Sequence, residues 1–107
     1  MASGYNIGDV VLVHYPYKED PRITKLRPAV IVDITETPIL LFIQITSTNR
    51  SDTNDGRWIV STSNAGKMMG LRKDSFLNYG NFLKLDFQFI YRKIGTCPYI
   101  DEIKRHL

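Results

Sequence analysis

The chain has 107 residues, enough for one hydrophobic core and too few for two, so a single domain over 1–107 is expected. Apolar content of 43% beside 23% charged residues is ordinary for a folded protein, and a net charge of +3 permits an anionic partner without supplying a basic block. No apolar run approaches the roughly 20 residues that cross a bilayer, the start MASGYNIGD does not resemble a signal peptide, and the lone Cys97 has no internal disulfide partner. No membrane partner is expected, and a reducing, cytoplasmic setting is the default.

Gly8-Asp9 reads as a turn before Val10–Tyr15, a run rich in β-branched and aromatic residues that predicts the first strand. Pro16–Leu26 is a polar connection, longer than most hairpin loops, and long loops in small domains are often functional. Pro28–Ile34 is the second strand, with the unbroken apolar run Ala29–Val32 expected to be buried on both faces. After the turn Glu36–Pro38, Ile39–Ser47 is the third. Three neighbouring strands at this spacing suggest an antiparallel meander, hence a small barrel or sandwich.

Thr48–Gly56 is dense in turn formers, Arg57–Ser61 predicts a fourth strand, Thr62–Lys73 a loop, and Ser75–Asn78 a short fifth strand. From Asp86 the spacing of Phe87, Ile90 and Tyr91 predicts a short helix capped by Asp86 and stopped by Gly95. Pro98–Leu107 predicts a second, with Tyr99, Ile100, Ile103 and Leu107 on one side. The expected fold is therefore mostly β with short C-terminal helices. No repeat, low-complexity tract or linker interrupts it.

Most catalytic templates are absent. No P-loop or dinucleotide fingerprint occurs, and one cysteine with two distant histidines, His14 and His106, does not make a zinc site. No metal or cofactor is expected, which leaves metal-free chemistry or simple binding. Cys97 reads as a buried packing residue.

The residues that remain can contact phosphate. Arg27 precedes Pro28, which pushes it into extended geometry at the mouth of a strand, a rigid mount for a guanidinium that can grip phosphate. The third strand ends Gln44-Ile45-Thr46-Ser47; alternation sets Gln44 and Thr46 on one face, Ile45 and Ser47 on the other. Those hydroxyls either donate to phosphate or simply begin the turn. His14 is a candidate proton carrier by residue type, with Glu19 and Asp20 in the loop beside it. Tyr15 and Tyr17 either offer faces for stacking bases or pack inward over a strand end. Lys18, Arg22 and Lys25 in the first connection, and Arg50 and Arg57 around the second, offer further phosphate contacts. Trp58 lies within a strand and reads as core before it reads as a stacking surface.

In order along the chain, GDVVLVHYPY (8–17), LRPAVIV (26–32), QITS (44–47), GLRKDSFLN (70–78), FLKLD (82–86) and YRKIGT (91–96) resemble the MazF/PemK family of toxin endoribonucleases. The resemblance implies a small SH3-like antiparallel β-barrel, a homodimer, a cognate antitoxin, and metal-independent, sequence-specific cleavage of single-stranded RNA to 2′,3′-cyclic phosphate and 5′-hydroxyl ends. It carries the arginine of the Arg-Pro element onto Arg27 and the threonine of the Ile-Thr element onto Thr46. Ser47 is the neighbouring hydroxyl, and His14 the candidate proton carrier. Some relatives also have an Arg-x-Asp pair on the strand matching Phe76–Gly80; Asn78 and Gly80 stand there in this chain, so that acid–base pair does not transfer. The alternative is a non-catalytic RNA- or protein-binding module on the same scaffold.

Overall fold

Alternate residues of the run Ala29–Val32 point into two different apolar clusters, so this stretch sits at the centre of the sheet. Val30 and Val32 join one cluster and Ala29 and Ile31 the other, and none of the four is more than 1% exposed. A strand buried on both faces needs no polar alternation, which is why the run is unbroken. Burying each such aliphatic side chain stabilises the fold by roughly 1.5–3 kcal/mol.

A computed structural model describes residues 4–16, 20, 22–48 and 55–107. It contains β1 (Asp9–Pro16), β2 (Thr24–Asp33), β3 (Ile39–Thr46), β4 (Gly56–Ile59), α1 (Asn64–Met69), β5 (Ser75–Asp86), β6 (Ile90–Thr96) and α2 (Ile100–Lys104). The fold is mostly β, and the expected meander holds, with β1 antiparallel to β2 and β2 antiparallel to β3. All six strands form one antiparallel sheet in the order β4-β5-β3-β2-β1-β6. Strands β4 and β6 are its edges, so among the described residues pairing does not close the sheet into a barrel. The first cluster is covered by Met69 of α1 and Ile103 of α2; the second gathers Val11, Val13, Leu40, Phe42 and Ile90 under the half-buried Leu83, Leu85 and Phe87.

Four sequence expectations change. The connection expected over Pro16–Leu26 is shorter, because β2 already begins at Thr24 and pairs with β1 from there, so Arg27 lies within the strand and not at its mouth. The predicted helix after Asp86 is one 3-10 turn, Phe87–Phe89, whose first amide groups Asp86 does cap by accepting from Gln88 N at 3.0 Å. The chain then becomes β6, because a short isolated helix is marginal in water while β1 offers an open edge to pair with. The short fifth strand runs on to Asp86. Its ladder with β3 passes from Ile45↔Leu77 to Ile43↔Phe82, so residues 78–81 bulge out where Asn78 and Gly80 suggested a stop. Within the expected loop Thr62–Lys73 lies α1, capped by Ser63 Oγ, which accepts from Gly66 N at 3.1 Å. It closes on Gly70 at φ 71°, where Leu71 N donates to Gly66 O and Gly70 N to Lys67 O.

Two glycines fix where α1 ends. A Cβ on Gly70 would lie 2.1 Å from the Ile94 carbonyl oxygen, and one on Gly95 would lie 2.3 Å from that of Met68. Backbone therefore meets backbone between the end of α1 and β6, and this contact positions the site.

Candidate functional site

The central strands part company. Pairing of β2 with β3 ends at Ala29↔Gln44. Beyond it β2 stays with β1, from Leu12↔Pro28 to Pro16↔Thr24, while β3 stays with β5 through Ile45↔Leu77 and Thr46↔Phe76. Pro28 has no amide hydrogen to give, and the ladder to β3 begins at the residue after it, a position that suits proline. The fork leaves Lys25–Pro28 on one lip and Ile45–Ser47 on the other of a groove of about 810 Å³. Gly70–Lys73 and Ser75, from the end of α1 into β5, and Tyr91–Ile94 of β6 complete its walls.

Arg27 and Thr46 therefore line the same groove. Arg27 lies two residues past Ala29 and Thr46 two past Gln44, so each stands the same number of positions beyond the fork. The Thr46 hydroxyl donates to Thr48 O at 3.2 Å, long for an O–H···O bond, so the contact is a weak one. Ser47 and Lys25 are exposed on the same two lips.

Charge distinguishes this groove from the rest of the surface. Six of the chain's 14 lysines and arginines line it: Lys25, Arg27, Arg72, Lys73, Arg92 and Lys93. Among the described residues no carboxylate does, and only Lys93 of the six makes an ion pair, with Asp9 at 3.1 Å. A concave wall of one sign concentrates anions.

The other expected residues lie elsewhere. His14 is not on the groove wall; its ring meets that of Tyr91 edge-on, centroids 5.7 Å apart at 82°, and Tyr91 faces the groove. Tyr15 packs inward against the second cluster, its hydroxyl buried without a hydrogen-bond partner among the described residues. Burial pushes that phenol up to about 12, partly opposed by the charge of Arg27. Arg22 is exposed and clamps Asp20 through Nε at 3.0 Å and Nη2 at 3.1 Å. That pairing holds the Asp20 carboxyl below the usual carboxylate range. Tyr17, Lys18, Glu19 and Arg50 lie outside the described residues.

Arg57 has partners within the fold. Its guanidinium grips Glu102 at 2.6 and 3.2 Å and lies 4.3 Å from the centroid of the Tyr99 ring. The Tyr79 hydroxyl donates to the same carboxylate at 2.5 Å. Arg57 thus fastens α2 to β4 and β5. Trp58 is half-buried and pairs with Phe76 across β4 and β5. Cys97 is buried as expected, and burial lifts its thiol to about 11, out of the range of a reactive nucleophile.

The sequence reading missed Arg72, Lys73, Tyr91, Arg92 and Lys93. Their signal was two Arg-Lys pairs, each one residue removed from a glycine that lets α1 and β6 touch.

A comparison with protein families matches residues 6–107 to the PemK-like, MazF-like toxins of type II toxin–antitoxin systems. The chain belongs to this family of toxins. Membership of a type II system implies an antitoxin partner. No curated protein matches the chain. Among the described residues no helix is long and apolar enough to cross a membrane.

Proposed function

We propose that this protein is a toxin of the cytoplasm that cleaves single-stranded RNA at specific sequences without a metal, acting as a homodimer restrained by its antitoxin. The substrate's own 2′-hydroxyl attacks the adjacent phosphorus. The 2′-oxygen–phosphorus bond forms, the bond to the 5′-oxygen breaks, and 2′,3′-cyclic phosphate and 5′-hydroxyl ends result. One proton leaves the 2′-hydroxyl and one arrives on the departing 5′-oxygen.

Negative charge gathers on the non-bridging oxygens in the transition state. The Arg27 guanidinium, charged at any working pH, grips them in a planar fork, and the Thr46 hydroxyl exchanges Thr48 O for one of them. Ser47 is the reserve donor. Lys25 holds a neighbouring phosphate. The observation that carries this reading is that Arg27 and Thr46 line one groove walled by cations.

A non-catalytic binding module is the rival. It is favoured by the use of Asn78, where some relatives are expected to carry a charged residue, as an acceptor for Gly80 N at 3.2 Å. Incubating the purified protein with a diverse single-stranded RNA pool in EDTA separates the two. Fragments with 5′-hydroxyl and cyclic phosphate ends support the ribonuclease; intact RNA that stays bound supports the module.

A further inference from the structure

The ladder of β1 with β6 steps from Leu12↔Arg92 to Val13↔Ile90, so Tyr91 is the extra residue of a β-bulge. Bulges re-aim a side chain and recur beside functional sites. Here the result is a large aromatic ring 57% exposed, on a groove wall, next in sequence to two cations. Such exposure is costly for a ring that only packs, yet this one is oriented: the His14 ring meets it edge-on at 5.7 Å between centroids. Arg72 and Lys73 stand on the neighbouring wall, brought there by the close approach of Gly70 and Gly95 to the backbones of β6 and α1.

The geometry points to Tyr91 as a platform on which one base of the RNA strand stacks, with Arg92 and Arg72 holding the phosphates on either side of that nucleotide. This inference rests on the ribonuclease reading and extends it to how the substrate strand is held away from the scissile bond. An exposed ring flanked by guanidinium groups suits a nucleotide because the base supplies a π-face and the backbone supplies charge at a regular repeat. An acidic peptide would satisfy the cations and leave the ring unused. His14 acts through Tyr91 and is a positioning residue in this account.

Two probes separate the parts: a short, labelled, mixed-sequence 2′-O-methyl RNA, which lacks the attacking hydroxyl, and inorganic polyphosphate, which has charge without bases. Tyr91→Ala is expected to weaken RNA binding about fivefold or more while polyphosphate binding stays at the wild-type value; Tyr91→Phe is expected to match wild type on both. The double variant Arg72→Ala/Arg92→Ala is expected to weaken both probes and to lower the slope of log affinity against log salt by roughly 1.4. Tyr91→Ala binding RNA like wild type, or losing polyphosphate equally, overturns the stacking assignment. So does a polyglutamate peptide that binds more tightly than RNA and is lost in the double variant. If wild type cleaves RNA and these variants bind unchanged, the platform fails and the ribonuclease stands. If wild type neither binds nor cleaves RNA, both fall.

Discussion

Replacing Gly70 by alanine tests the contact that shapes the groove. At φ 71° the left-handed backbone costs an alanine roughly 1–2 kcal/mol. The added methyl would also stand 2.1 Å from the Ile94 carbonyl oxygen and 3.2 Å from the Ile94 Cβ. Backbone cannot swing aside as a flexible side chain does, and overpacking of this kind costs about 1–3 kcal/mol. The two contributions together give about 2–5 kcal/mol. For a domain near 100 residues that lowers the melting temperature by about 10 °C or more. Urea titration followed by circular dichroism measures it. Gly70→Asn separates the contributions, because asparagine visits the left-handed region more readily but still carries a Cβ. The expected order of stability is glycine, then asparagine, then alanine. A loss below about 0.5 kcal/mol for Gly70→Ala, or an asparagine variant equal to wild type, would refute the reasoning from close backbone approach.

The acid limb of stability should involve Glu102. Its hydrogen bond from Arg57 holds its carboxyl below the usual range, so its contribution is present above the unfolded value near 4.3 and fades as pH falls through the folded one. Melting temperatures of wild type and Glu102→Gln should differ at neutral pH and converge in acid; a gap independent of pH contradicts this. Absorbance at 295 nm should show Tyr15 and Tyr79 ionising near pH 12, after ordinary phenols near 10. Burial is the chief cause for both, and because the folded values lie above the unfolded one, stability should decline between those pH values. Cys97, buried with its thiol raised to about 11, should resist a thiol reagent at neutral pH in the native protein and react fully in denaturant.

Strands β1, β3 and β4 and the apolar half of β2 were legible because their runs are apolar or alternating and are bounded by turn formers; the polar start of β2, Thr24–Arg27, was not, since only its pairing with β1 makes it a strand. The second half of β5 was not, since Asn78 and Gly80 look locally like an ending and only the sheet reveals a bulge. Phe87, Ile90 and Tyr91 carry a helical spacing that an open strand edge overrides. Helix α1 hid behind Gly66 and Gly70. The first is tolerated within a helix because a Cβ there would lie 2.3 Å from Val60 O. At the site, Arg27 and Thr46 stand beside a proline and at a strand end, both visible locally. The partner of Arg57 was not legible, because Glu102 lies 45 residues away. The Arg-Lys pairs at 72–73 and 92–93 are twenty positions apart, and only the contact of α1 with β6 makes them neighbours of one groove.

The most direct test is the single-turnover rate of RNA cleavage in EDTA for wild type, Arg27→Ala, Thr46→Val and the double variant. Loss of a preorganised donor at the transition state predicts a fall of about 10²–10³ for Arg27→Ala. If Arg27 and Thr46 serve one phosphate, the double variant should lose less than the product of the single losses. Wild-type rates in Arg27→Ala would contradict the account.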